Sequence, residues 1–160
     1  MLILVVSIAT YISLQKTSRD NFNPADSFNL IFKYGVGAKN ELNTFNGTYT
    51  KDLVLDPSVT IKLTLTNEEK LQILQKIAEM DLLNFPDNFS RRQSPIVTPQ
   101  TDYYIKVQNG SQIKEISWNT NSLIESNMQN SLEQFVSYLI GIIEQKPEYK
   151  ALSPPRGGYV

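Results

Sequence analysis

Alternation of apolar and polar residues is the pattern that most limits the fold of this chain, because successive side chains of a strand point to opposite faces of a sheet. Asn46-Gly47, between two such segments, is a strong signal for a two-residue hairpin loop, and Asp56-Pro57-Ser58 is expected to turn the chain again. These signals predict an antiparallel sheet built from hairpins. The alternating segments are residues 28–34, the hairpin arms 42–45 and 48–55, and residues 59–65, 103–107 and 112–118.

One stretch after these first strands has apolar residues at the spacing of one helix face. Thr66 and Glu69 form the sequence pattern of a capping box at its start. Pro86 disfavours helical geometry just before it, so the helix is expected to end near Asn84. The apolar face is predicted to consist of Leu71, Leu74, Ile77, Ala78 and Leu82.

A second helix is predicted near the C-terminus. Its cap is either Ser122, with Glu125 three residues later, or a residue nearer Asn130, and Pro147 is expected to stop it. The apolar stripe of this helix is continuous, which indicates a face packed on the sheet. The stripe consists of Leu132, Phe135, Val136, Leu139, Ile140 and Ile143.

The hairpin around Asn109-Gly110 has two candidate registers. A strict two-residue loop sets Ile105 opposite Lys114 and mixes the two faces. A four-residue loop sets Ile105 opposite Ile116, Tyr103 opposite Trp118 and Lys106 opposite Glu115. The second register is favoured because it separates apolar from charged residues and pairs opposite charges.

The fold class that follows is α+β. We expect about five antiparallel strands in the order β-β-β-α-β-β-α, with two amphipathic helices packed on one face of the sheet. The single domain is expected to span residues 28–146, after a polar linker at residues 16–27. Residues 147–160 are expected to form an extended tail that covers a sheet edge, because Leu152 and Tyr159 gain from burial.

Residues 1–15 carry no charge, unlike the rest of the chain, and are predicted to lie outside the domain as a signal or membrane anchor. As a helix this block is about 22 Å long, shorter than the ~30 Å hydrocarbon layer, and it has no preceding basic residue. Two alternatives stay open. Residues 2–14 are rich in β-branched residues and could form a strand of a cytosolic core, or the block could bind a partner.

The amino-acid composition limits the kinds of catalytic, metal and nucleic-acid-binding site that the chain can form. The chain has no cysteine and no histidine, so thiolate metal sites, cysteine nucleophiles and Ser-His-Asp catalysis are excluded. Its 15 basic and 16 acidic residues give a net charge of −1, with no basic stripe for nucleic acid. No cofactor or metal is expected, and no catalytic motif is present.

The longest stretch without a regular pattern is residues 86–102. Long loops in compact domains are usually functional or disordered, and three prolines stiffen this one. Arg91 and Arg92 supply positive charge, and Ile96 and Val97 form an apolar pair. The loop is therefore a candidate contact for a protein or for an anionic envelope polymer. The alternative is that Ile96 and Val97 pack in the core of a simple crossover.

Two further groups of residues are candidates for a site. Trp118 with Tyr103 and Tyr104 could form a platform on which a sugar stacks, although cross-strand core packing also explains these rings. Glu41, Asp52 and Asp56 could cluster near one strand end and serve as the carboxylates of a small hydrolase acting on an envelope polymer. Scattered surface carboxylates are the alternative interpretation.

Four short segments carry a resemblance to a group of known proteins: residues 48–52 (TYTKD), 65–69 (LTNEE), 146–149 (KPEY) and 155–159 (PRGGY). With them, residues 28–160 loosely resemble uncharacterised exported, cell-envelope α+β proteins of Bacillus-type bacteria. The resemblance implies a location outside the cytoplasm, on the membrane or secreted, and carries no catalytic residues. The leading hypothesis is a membrane-tethered, extracytoplasmic binding module that is not an enzyme. The alternatives are the carboxylate hydrolase and the cytosolic interaction protein.

Overall fold

The computed structural model describes residues 23–90 and 95–160. Six strands form one antiparallel sheet in the spatial order β4-β3-β2-β1-β5-β6. Three helices accompany it: α1 between β4 and β5, and α2 and α3 after β6. The strands are β1 (Phe28–Gly35), β2 (Asn40–Asn43), β3 (Thr48–Leu53), β4 (Asp56–Lys62), β5 (Asp102–Asn109) and β6 (Gln112–Asn119), and the helices are α1 (Asn67–Glu79), α2 (Ser126–Gln145) and α3 (Pro147–Lys150).

The α+β class and the antiparallel sheet are confirmed, but the sheet has six strands where about five were expected. Both arms of the Asn46-Gly47 hairpin are separate strands between β1 and β4, so four strands precede α1. The loop of this hairpin is also longer than expected. Asn43 pairs with Thr48, which leaves a four-residue turn.

One hydrophobic core lies between the helices and one face of the sheet. Alternate residues of the strands, such as Leu30, Phe32 and Ile105, are fully buried and pack with the buried faces of α1 and α2. The opposite sheet face carries two cross-strand ion pairs, Lys33 with Glu41 and Lys106 with Glu115, both 2.9 Å long. The sequence pattern of alternation therefore separates a packed face from a polar face.

The register of the β5–β6 hairpin agrees with the favoured prediction. Ile105 pairs with Ile116, Tyr103 with Trp118, and Lys106 with Glu115. The predicted four-residue loop is wrong, because the ladder continues to Asn109 and Gln112. Gly110, with φ +60°, starts the resulting two-residue turn, a conformation that glycine adopts without steric cost.

The capping box of α1 forms as predicted: Thr66 Oγ1 accepts from Glu69 N–H at 3.2 Å, and Glu69 Oε2 accepts from Thr66 N–H at 2.7 Å. The helix ends earlier than predicted, at Glu79, because Asp81 takes a left-handed conformation (φ 54°). Its buried residues are Ile73 and Ile77, whereas Leu71 is 40% exposed. Ala78 is exposed as well, so the prediction that Leu71 and Ala78 belong to the core face is wrong.

The strand predicted at residues 59–65 lies three residues earlier. β4 begins at Asp56, so the expected Asp56-Pro57-Ser58 turn is part of an edge strand, and Val54 and Leu55 make the turn instead. Val59 is exposed, and the buried residues of this stretch, Leu63 and Leu65, follow the strand. An edge position explains how a proline is tolerated here.

The predicted apolar stripe of α2 is buried, except that Ile140 is only partly so. Neither proposed cap is correct. Glu125 is the N-cap residue, and its side chain makes no capping hydrogen bond. The helix ends at Gln145, and Pro147 then opens α3, so extended chain begins only after Lys150.

The C-terminal residues contact the end of the sheet where β3 turns into β4. Arg156 pairs with Val54 in a parallel bridge, and its guanidinium holds the Asp56 carboxylate through two hydrogen bonds. Tyr159 Oη donates to Asp52 Oδ2 at 2.6 Å. These contacts fix the tail at a corner of the sheet.

The domain also starts earlier than residue 28. Asn23 caps a 3₁₀ turn at Pro24–Asp26, and Ala25 within it is fully buried. The end of the predicted linker is therefore part of the folded unit. The predicted anchor at residues 1–15 and most of that linker lie outside the described residues.

Candidate functional site

The six residues predicted for a binding site do not form one surface. Ile96 and Val97 are 42% and 52% exposed, so the alternative that placed them in the core is wrong. Tyr104 pairs with Ser117, whereas Trp118 pairs with Tyr103, so Tyr104 and Trp118 lie on opposite faces of the sheet. Arg91 and Arg92 lie outside the described residues.

The segment that carries Ile96 and Val97 is held by a residue that the sequence analysis missed. Asn121 is 1% exposed, and its side-chain amide forms two hydrogen bonds with the backbone of Val97. Val97 N–H donates to Asn121 Oδ1 at 2.7 Å, and Asn121 Nδ2 donates to the Val97 carbonyl at 3.0 Å. In a chain this rich in asparagine, no sequence signal distinguishes Asn121 from its neighbours.

A second clamp lies a few residues further along the same segment. Thr101 N–H donates to Thr120 Oγ1 at 3.2 Å, and Thr120 N–H donates to the Thr101 carbonyl at 3.0 Å. Residues 97–101 are thus tied to the turn that follows β6. The side chains of Ile96 and Val97 remain exposed. The backbone N–H and C=O groups of Val97 and Thr101 are all hydrogen-bonded.

The first part of the long loop is also fixed. Asn88 forms a parallel bridge with Ser117 on the outer edge of β6, and Lys114 Nζ contacts Asp87 Oδ1 at 2.6 Å. This bridge covers part of the strand edge that would otherwise be unpaired. The loop is therefore anchored at its start on β6 and at its end on the turn after β6.

A cavity of about 350 Å³ opens beside this turn, on the helix side of the sheet. Its floor is the cross-strand pair Tyr103 and Trp118, whose rings stack with centroids 5.0 Å apart and planes 16° apart. One wall is the first half of α2. The remaining lining residues are Asn119, Thr120, Ser122, Ile124, Gln129, Leu132, Glu133, Val136 and Ser137.

The electrostatic character of this cavity is negative. Of the described residues that line it, Glu133 alone is charged, and Gln129 Nε2 donates to Glu133 Oε1 at 2.8 Å. Burial, together with the charge of Glu133, raises the pKa of the Tyr103 phenol, so Tyr103 stays neutral. Asn119, Thr120, Ser122 and Ser137 add amide and hydroxyl groups to the polar part of the lining.

Tyr104 lines a different and more open cavity, on the polar face of the sheet, with Asp87, Asn88 and Lys114. Burial and the neighbouring Glu115 carboxylate raise the pKa of Tyr104 to about 12. The predicted platform of Tyr103, Tyr104 and Trp118 is therefore divided, and only Tyr103 and Trp118 share a surface.

Glu41, Asp52 and Asp56 each have a separate partner. Glu41 pairs with Lys33 on the polar face, Asp52 accepts from Tyr159, and Asp56 is held by Arg156. The neighbouring guanidinium holds the pKa of Asp56 below its usual value. Four cavities in the described part of the chain are lined by other residues, and the three carboxylates are held apart by their partners, so they give the hydrolase hypothesis no support.

An apolar groove of about 890 Å³ lies between α1 and the β5–β6 turn. Leu71, Leu83 and Ile113, three of the exposed apolar side chains of the domain, line it. Pro24, near the first described residue, lies at the same groove. Within residues 23–90 and 95–160 no cluster of acidic side chains is arranged to hold a metal ion.

Sequence similarity to known proteins does not indicate what this site binds. No protein-family model matches the chain, and no curated protein has a significantly similar sequence.

The helices of the described residues are all too short or too polar to cross a membrane.

Proposed function

We propose that this protein is a binding module, tethered to the membrane outside the cytoplasm by residues 1–15, and that residues 95–101 form its contact surface. The observation that carries the proposal is the grip of buried Asn121 on Val97. It fixes the backbone of a segment whose Ile96 and Val97 side chains point away from the core.

Ile96 and Val97 leave about half of their apolar surface exposed, and a partner that covers it gains the corresponding part of the burial energy. Complete burial of such a side chain is worth about 1.5–3 kcal/mol. The clamp also lowers the cost of binding. A segment that is already ordered loses little conformational entropy when a partner docks. Ile96 and Val97 on a fixed backbone are thus suited to recognition.

The partner is a protein or an anionic envelope polymer. Ile96 and Val97 favour a protein surface with an apolar contact. Arg91 and Arg92 precede them by a few residues and supply the charge that an anionic polymer requires. Replacing each pair separately distinguishes the two partners.

Cross-linking in intact cells tests the contact surface. A photoreactive amino acid at position 96 is expected to give a discrete adduct, while the same group at Ile113, an apolar site on β6 that is more exposed than Ile96, gives none. Asn121→Ala is expected to weaken the adduct at position 96 because it frees the backbone of Val97. Equal adducts at positions 96 and 113, or an adduct unaffected by Asn121→Ala, would contradict the proposed surface.

Fractionation of cells tests the tether. The protein is expected in the membrane fraction, and protease added to intact cells is expected to remove it. The competing hypothesis, in which residues 2–14 pack with the domain of a cytosolic protein, is favoured by one observation: the apolar groove at Pro24. A soluble, protected protein that unfolds when residues 1–20 are deleted would support that hypothesis and overturn the tether.

A further inference from the structure

The cavity between the β5–β6 hairpin and α2 combines an aromatic floor with a carboxylate. The stacked rings of Tyr103 and Trp118 line the cavity, and Glu133 adds a full negative charge at the wall. The face of an aromatic ring is its negative part. Among the described residues that line the cavity, none is basic. A positive group is what this combination attracts, since both the rings and the carboxylate favour a cation.

A second aromatic cluster of the same protein shows the complete arrangement. In this closed cluster, which consists of Tyr34, Tyr49, Tyr149 and Lys51, the Lys51 ammonium lies 4.4 Å from the centre of the Tyr149 ring. The hydroxyl of that ring donates to a carboxylate oxygen of Glu144 at 3.4 Å. Ring, carboxylate and ammonium therefore occur together there.

In the part of the chain that the structure describes, the open pair, Tyr103 and Trp118, has a neighbouring carboxylate but no neighbouring ammonium. It lies on the same sheet face as the closed cluster, because Tyr34 pairs with Tyr103 across β1 and β5. We propose that the cavity at the open pair binds a primary ammonium group, carried by a small aliphatic amine or by a lysine side chain of a partner.

Size and polar groups fit this ligand class. A volume of about 350 Å³ lies at the lower end of the range for small-molecule sites and holds an alkylammonium chain with room to spare. Apolar walls from Ile124 and Val136 suit the methylene groups. The ammonium has three hydrogens to donate, and Glu133, with the hydroxyls of Thr120 and Ser137, supplies acceptors.

The proposal is independent of the contact surface at residues 95–101. It is tested by NMR on the full chain, because Trp118 is the one tryptophan of the sequence and its indole N–H gives a single signal. Titration with n-butylammonium is expected to shift that signal and to saturate. The neutral analogue 1-butanol is expected to bind at least about fivefold more weakly, the effect of a single charge attraction near a protein surface.

Glu133→Gln keeps the size of the side chain and removes its charge. It is expected to weaken n-butylammonium binding about fivefold and to leave 1-butanol unaffected. Glu148→Gln, an exposed carboxylate on α3, is the matched control and should change neither titration. Unshifted backbone signals elsewhere confirm that the variants fold.

A third titration, with the lysine derivative Nα-acetyl-lysine-methylamide, identifies the source of the ammonium. Tighter binding than n-butylammonium indicates a lysine of a partner, because its backbone amides add contacts. Equal binding indicates a free amine. The proposal is overturned if n-butylammonium and 1-butanol bind equally, or if Glu133→Gln leaves n-butylammonium binding unchanged.

Discussion

The closed cluster and the open pair are neighbours on one sheet face, yet they differ in how completely the protein covers them. Tyr49 is 1% exposed and its hydroxyl contacts that of Tyr34 at 2.7 Å, with Tyr149 packed against its ring. Burial raises the pKa of Tyr34 to about 12, so this hydroxyl pair stays neutral. Trp118 and Tyr103 are only partly buried and face a cavity.

The difference follows from what succeeds α2 in the chain. The short helix α3 brings Tyr149 over the β1–β3 side of the sheet, and Lys51 lies over its ring. At the other end, the first turns of α2 stand beside the open pair with the polar side chains of Gln129, Glu133 and Ser137. Aromatic side chains on one sheet face are thus buried in the core at the closed cluster and line a cavity at the open pair.

Truncating one ring in each group gives the largest effect. Tyr49→Ala removes a fully buried ring and is expected to lower the free energy of unfolding by about 3–5 kcal/mol. Trp118→Ala should lower it by about 1–2 kcal/mol, because a partly exposed ring loses less burial and the cavity lets its surroundings relax. Urea denaturation followed by circular dichroism measures both.

A loss of 3–5 kcal/mol is a large part of the stability of a domain of this size, so Tyr49→Ala is accompanied by Tyr49→Phe. The phenylalanine variant loses only the hydroxyl contact to Tyr34, at about 1 kcal/mol. If Trp118→Ala costs as much as Tyr49→Ala, the open pair is structural core and the distinction between the two groups fails.

The division of the predicted aromatic platform could have been derived from the sequence. The favoured register already paired Tyr103 with Trp118, and adjacent residues of a strand point to opposite faces, so Tyr104 had to face away. That register was predictable because a slip would have mixed apolar with charged residues. The capping box at Thr66 and Glu69 was predictable because it depends on local sequence only.

The features that escaped prediction depend on contacts between distant residues. Asp56 is held by Arg156, 100 residues later, and Asp52 by Tyr159, so no local pattern shows that these carboxylates are engaged. The role of Asn121 depends on Val97, 24 residues earlier. Val59 was expected to be buried because it alternates, but an edge strand covers less than a central one.

The smallest expected change in stability comes from a substitution that places a cation beside the open pair. Ser137 lines the cavity one helical turn after Glu133, the spacing at which a Glu followed by a Lys stabilises a helix by about 0.3–0.5 kcal/mol. Ser137→Lys is therefore expected to raise the urea midpoint slightly. It should also abolish n-butylammonium binding, measured at the Trp118 indole signal. The ammonium of the new lysine is expected to occupy the cavity beside the open pair, as the Lys51 ammonium lies over the Tyr149 ring in the closed cluster. Ser137→Gln, similar in length but uncharged, is the control and should leave most of the binding intact. If both variants block binding equally, bulk at position 137 closes the cavity, and charge does not distinguish the open pair from the closed cluster.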